Sequence, residues 1–154
     1  MSNSKKEKYC ELLYNNILKG VIKPITGDQT TYLDEILGAG KKMLGVKFKG
    51  VFPSDKIPKL NDLSPYAVLN LDTSKQPGSH WVAIAKQGNN TYLYDSFGRK
   101  NMKIIPNLIY SGNGRIIDTD YDAEQKIIET DCGARSLAWL VFFDKWGPDA
   151  AKLI

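Results

Sequence analysis

Two cysteines and a single histidine are all the sulfur and imidazole ligands that this chain of 154 residues has. Tetrahedral zinc needs about four ligands, so His80, Cys10 and Cys132 with scattered carboxylates are a poor supply, and no metal is expected. Cys10 and Cys132 stand 122 positions apart, too sparse for the disulfide framework of a small secreted domain. Free thiols in a reducing compartment are expected instead. No apolar run approaches the roughly 20 residues that span a bilayer. The opening MSNSKKEKYCELL lacks the pattern of a signal peptide, so neither membrane attachment nor secretion is expected. Internal repeats and low-complexity linkers are missing too. At 42% hydrophobic and 25% charged the composition is that of an ordinary globular chain, which excludes collagen-like and disordered classes. Residues 1–154 are read as one domain.

The formal charge of +4 is unevenly spread: residues 1–60 hold 11 Lys/Arg against 6 Asp/Glu, and residues 61–154 hold 10 against 11. Lysines such as Lys41, Lys42, Lys47 and Lys49 can neutralise phosphates, which makes non-specific DNA binding a candidate property. A solvated surface is the ordinary reading of so modest a surplus.

Tyr9, Leu12, Leu13, Ile17 and Leu18 recur at helical spacing and predict an amphipathic helix over 5–19, ended by Gly20 and Pro24. A second helix is expected from Thr30 or Thr31, with Asp34 as a capping partner and Leu33, Ile36 and Leu37 inward. Gly38 and Gly40 weaken its far end. Residues 45–65 hold three prolines and two glycines and read as an ordered surface connection. YAVLNL at 66–71, WVAIA at 81–85 and TYLYD at 91–95 are β-branched and aromatic, and thus strand-like. Gly88 and Asn89 between the last two predict an antiparallel hairpin. A fourth strand is expected at Arg115–Asp118. Ala134–Phe143 is apolar around its whole circumference and predicts a buried central helix, stopped by Gly147–Pro148. Helices flanking a small, antiparallel-rich sheet make an α+β domain.

The hairpin carries the first candidate chemistry. With its turn centred on Gln87–Gly88, His80 lies opposite Asp95; centred one residue later, Asp95 lies opposite Val82. Both registers keep His80 and Asp95 on one face, displaced by at most about 7 Å. A carboxylate beside an imidazole fixes its tautomer and stabilises the imidazolium. Alone, such a pair is ordinarily a surface ion pair. Cys132 opens the buried helix, in TDCGARSLAWLVFF, where helix-terminal N–H groups and the macrodipole favour an anionic nucleophile. Gly133 leaves room for a substrate carbonyl, and Asp131 is assigned a capping role. Cys10, by contrast, reads as a buried structural cysteine on its helical face. Gln125, seven residues before Cys132, offers a neutral amide donor for an oxyanion.

The order His80-Trp81 at a strand start, an acid at the end of the next strand, then Gln125 and Cys132-Gly133 resembles the adenovirus-type (adenain-like) cysteine proteases. GVFPSDKIP, YAVLNLDTSKQPGSHWVAIA, TYLYDSFGRK and EQKIIETDCGARSLAWLVFF follow that family's pattern over roughly residues 30–146. TTYLDEILGAGKKMLGVKFKGVFPSD and CGARSLAWLVFF look closest to small versions from virophages and Polinton-like elements. The resemblance implies a papain-like fold of the adenain/SUMO-protease type. It also implies His80 as general base, Asp95 as its orienter, Cys132 as nucleophile, and Gln125 with the Cys132 N–H as oxyanion donors. In such proteases the residue matching Trp81 roofs a channel that admits small residues, hence Gly-Gly or Gly-X sites, with Gly133 beside it. Packing in the core with Tyr92 and Tyr94 is the alternative for Trp81.

The function so implied is a viral maturation endopeptidase acting on capsid or core precursors, in the virion and the cytoplasm or nucleus of an infected cell. A monomer with no required cofactor is expected. A DNA or peptide activator is left open, with Cys10 as the one thiol that could tether a peptide. The chain runs only to Ile154, so features that adenovirus enzymes build beyond the nucleophile helix are expected to be missing. Two alternatives stand beside this reading: a protease that removes ubiquitin-like modifiers, and a non-enzymatic binding module on the same fold.

Overall fold

The computed structural model describes residues 3–27, 33–72, 80–119 and 131–154. Its first element, α1 (Asn3–Ile17), passes directly into a π turn (Leu18–Ile22) and one further α turn, α2 (Lys23–Thr26). Neither Gly20 nor Pro24 ends the helix as expected. Proline at 24 lacks the N–H that α geometry needs there, and the wider turn absorbs the defect, with Lys23 N–H bonded to Leu18 O. The inward face is also corrected: Tyr9 and Leu12 are 55% and 56% exposed, whereas Cys10, Tyr14, Ile17 and Leu18 are buried. Both stripes have helical spacing. The second wins because Tyr14 brings its hydroxyl within 3.0 Å of the buried Tyr94 hydroxyl.

Thr30 and Thr31, the expected helix start, lie outside the described residues. Helix α3 (Leu33–Leu44) buries Ile36 and half-buries Leu37, but its first residue Leu33 is exposed rather than inward. The helix continues past Gly38 and Gly40 to Leu44. A Cβ at position 40 would overlap the Phe48 ring, so the bare glycine lets α3 lie against the next strand.

That strand, β1 (Phe48–Pro53), was expected to be surface connection. It pairs in parallel with β2 (Tyr66–Asn70), and that tertiary pairing outweighs the local signals of Gly50 and Pro53. The others are β3 (Trp81–Gln87), β4 (Asn90–Tyr94) and β5 (Arg115–Asp118), giving one sheet of order β1-β2-β3-β4-β5. The β2–β3 and β3–β4 pairs are antiparallel and β4–β5 is parallel, so the sheet is evenly mixed rather than antiparallel-rich. The hairpin takes the later register, with Ala83 opposite Tyr94 and Gln87 opposite Asn90.

Both faces of the sheet are covered, which explains why β2 and β3 are apolar along their length instead of alternating. On one face Tyr66, Val68, Trp81, Ala83, Ala85, Tyr92 and Tyr94 meet the helices. On the other, Ala67, Leu69, Val82, Ile84 and Leu93 meet Leu60, Ile105 and Leu108. Those last three come from the two crossovers that parallel pairing requires, the second of which contains α4 (Asn101–Ile104) and a 3-10 turn (Pro106–Tyr110). Over β3, where Ala83 and Ala85 leave room, lies α5 (Cys132–Ala151). Its path breaks at Gly147 (φ 80°) before Pro148 starts the last turn, which Trp139 Nε1 ties back by donating to Ala151 O at 3.2 Å. The architecture is thus α+β, with a mixed sheet and a buried helix. Among the described residues no helix is long and apolar enough to cross a membrane.

Candidate active site

His80 stands immediately before β3, and Asp95 immediately after β4, so the hairpin delivers both to one end of the sheet. Two residues of offset along the strand separate them in register, and the side chains close the gap: His80 Nε2 and Asp95 Oδ1 are 2.6 Å apart. His80 is 8% exposed and Asp95 2% exposed. The other component arrives from the opposite direction in the chain. Cys132 is the first residue of α5, 6% exposed, and lies close enough to the His80 side chain to influence its ionisation. With Nε2 engaged by Asp95, Nδ1 is the ring nitrogen left for the thiol.

The peptide unit of Trp81 clamps the two halves together. Its N–H donates to Cys132 Sγ (3.5 Å), and its carbonyl accepts from Ser136 Oγ (3.2 Å), one helical turn further along α5. Neighbouring β2 is tied on through Leu71 N–H, which donates to the His80 carbonyl at 3.0 Å. His80 and Cys132 are therefore held in place by backbone bonds to regular elements.

Electrostatics favour an ion-paired site. Burial raises the Asp95 carboxyl, but hydrogen bonds and charges from His80 and Arg99 outweigh it and bring it down to about 2. Burial likewise lowers His80, yet the hydrogen bonds with Asp95 and Cys132, and their charges, leave it raised above its ordinary value. The buried Asp95 carboxylate thus stabilises the protonated form of the imidazole beside it. Cys10 differs: burial pushes its thiol up, with Lys6 opposing weakly.

Asp131 is not a capping residue. Its φ and ψ are −98° and 24°, and its side chain makes no capping bond. The carboxylate instead pairs with Arg135 Nε at 2.9 Å and Lys23 Nζ at 3.0 Å. Two cations thereby offset the negative charge next to the nucleophile, which the dipole alone would have had to oppose. Lys23 belongs to α2, so the N-terminal helical arm braces the start of α5.

Gln125 lies outside the described residues. Gly133 is the second, buried residue of α5, and its N–H, like that of Cys132, has no carbonyl partner within the helix. Trp81 is 7% exposed and packs into the helix-side core that also holds Tyr92 and Tyr94. Lys41 and Lys42 end α3 and are exposed, as is Lys49 on β1, but Lys47 is committed to Asp144 at 3.1 Å. Sequence reading missed Lys23, Arg99 and Ser136; the last two lie within the segments TYLYDSFGRK and CGARSLAWLVFF but were given no role. It also missed Asn70, buried at the end of β2 opposite Trp81, whose Nδ2 has no hydrogen-bond partner among the described residues. Among the described residues no group of three His, Cys, Asp or Glu side chains is placed to hold a metal ion.

No protein-family model matches this sequence, and no curated protein matches it significantly.

Proposed function

We propose that the chain is a thiol hydrolase, and within that class a cysteine endopeptidase. The supporting observation is the convergence of Cys132, His80 and Asp95, in which the one histidine of the chain bonds a buried carboxylate through Nε2 and a helix-initiating thiol accepts from the N–H of the next residue, Trp81. In the proposed cycle His80 Nδ1 takes the thiol proton and Sγ attacks a peptide carbonyl. The new oxyanion is met by the Cys132 N–H and, if the family likeness extends so far, by Gln125. The imidazolium then protonates the leaving amine, and water deprotonated by His80 hydrolyses the thioester to restore the thiol. Asp95 keeps the Nε2–H tautomer throughout.

The more particular reading rests on the resemblance alone: a maturation protease of a virus or virophage-like element, cutting capsid or core precursors after small residues such as Gly. The test is cleavage of a co-expressed capsid precursor, with new termini mapped by mass spectrometry. Cys132→Ala and His80→Ala are expected to abolish cleavage, and Asp95→Asn to slow it by about 10²–10⁴-fold. Retention of most activity in Cys132→Ala overturns the proposal. Capture of Cys132 by a ubiquitin-like electrophilic probe, without precursor cleavage, redirects it to a deconjugating protease.

A further inference from the structure

The segment Asp95-Ser96-Phe97-Gly98-Arg99 leaves β4 in a turn closed by Gly98 N–H donating to Asp95 O at 2.8 Å. This brings the fifth residue back onto the first. Asp95 Oδ2 accepts from Arg99 Nε (2.7 Å) and from the Arg99 backbone N–H (3.1 Å). Oδ1 accepts from the Phe97 N–H (3.2 Å) and faces His80 Nε2, with Arg99 Nη2 more distant at 3.5 Å. The Phe97 ring stacks on the imidazole, centroids 4.7 Å apart and planes 23° from parallel, and the Arg99 guanidinium lies 5.0 Å from that same ring. The Asp95 side chain is 0% exposed, so water is not at hand to replace a lost donor.

We infer that Arg99 is a positioning residue for the base: by anchoring Oδ2 it fixes the rotation of the Asp95 carboxylate and commits Oδ1 to His80 Nε2. The backbone N–H groups of Phe97 and Arg99 each hold one carboxylate oxygen, at 3.2 and 3.1 Å, and the shorter 2.7 Å bond from Arg99 Nε adds a charged donor that keeps Oδ2 from exchanging places with Oδ1. The guanidinium also supplies the second cation that a buried anion with a single histidine partner lacks. Among the described residues, the titratable groups facing His80 are Asp95 and Cys132, and those facing Asp95 are His80 and Arg99. The catalytic meaning of this role rests on the thiol-hydrolase reading; the geometry does not.

His80 is the only histidine, so its ring nitrogens can be followed by ¹⁵N NMR without assignment. Arg99→Met keeps the stem and removes both charge and donor; Arg99→Gln restores an N–H near the Nε position without charge; Arg99→Lys restores charge alone. The neutral imidazole of the unaltered protein is expected as the Nε2–H tautomer. In Arg99→Met the tautomers mix, the imidazolium loses its proton at lower pH, and kcat/KM on a cleavable peptide falls about 10- to 100-fold. Arg99→Gln is expected to recover the tautomer and most of the rate. Arg99→Met with an unchanged tautomer and midpoint, or with a raised midpoint, overturns the inference. So does recovery by Lys but not by Gln, a comparison that still decides should the Met variant fail to fold. A normal NMR response without hydrolysis of any peptide by the unaltered chain sinks the proteolytic reading and leaves the positioning role standing.

Discussion

At the scale of single residues, the two thiols have opposite surroundings, and their chemistry should differ accordingly. Cys10 is buried on α1 with its thiol pushed up, while Cys132 faces an imidazole and a backbone N–H. Limited iodoacetamide treatment near neutral pH is expected to carboxamidomethylate Cys132 well before Cys10, as read by peptide mass spectrometry. Equal labelling would mean that His80 does not activate the thiol. The His80–Asp95 pair also makes a thermodynamic prediction. Asp95 has a depressed folded value, about 2 against an ordinary 3.8, so its contribution is complete above the ordinary value and is lost as pH falls through the folded one. His80 has a raised folded value, so its contribution is complete below 6.5 and is lost as pH rises through the higher folded value. Urea midpoints of the unaltered protein should therefore decline on both sides of a plateau between about pH 4 and 6.5. The alkaline decline should flatten in His80→Gln; parallel alkaline slopes would contradict the assignment. The three residues that the structure brings together were legible in the sequence because each sits at a marked boundary: a strand start, a strand end, a helix start. Arg99 was not, since a cation in a loop has no periodicity to betray which carboxylate it holds. Asp131 was misread for a related reason. Its partners Lys23 and Arg135 come from tertiary packing and from the helix it precedes, and they outcompete the local capping bond.

Among the elements, those whose burial comes from both sides were the easiest to read. β2 and β3 are largely apolar runs, β4 carries Tyr92, Leu93 and Tyr94 in succession, and α5 is apolar throughout Leu137–Phe143, so pattern and environment agree. β1 is harder, because an edge strand carrying Lys49, Gly50 and Pro53 has the composition of a loop, and only its parallel partner β2 makes it a strand. The inward face of α1 was partly missed because two helical stripes overlap at Ile17 and Leu18, and Tyr9 and Leu12 of the expected one are left exposed. The junction at Gly147 offers a quantitative check. Gly147 adopts φ 80° between Trp146 and Pro148, a conformation that a side chain strains. Gly147→Ala is expected to destabilise the protein by about 1–3 kcal/mol, measured by urea unfolding. A neutral result would show that the break in α5 can be straightened at no cost.

On the scale of the whole molecule, the N-terminal arm and the nucleophile helix share a largely buried charge cluster. Lys23 and Asp131 side chains are 19% and 6% exposed, and Arg135 binds the same carboxylate. Lys23→Met leaves Asp131 with one cation in place of two and is expected to cost about 1–3 kcal/mol of stability. Neutralising exposed Lys47, whose pair with Asp144 is open to solvent, is expected to cost under about 1 kcal/mol. Thermal unfolding of the two variants side by side tests the contrast, and equal losses would remove the arm's bracing role. The order in which the chain is made gives this layout a further consequence. Base and carboxylate lie 15 positions apart on one hairpin, whereas Cys132 is bonded to a peptide 51 positions earlier. On a ribosome, then, the imidazole couple can assemble before Cys132 has been made. The proposed triad is therefore completed only once α5 is seated against the sheet and the N-terminal arm.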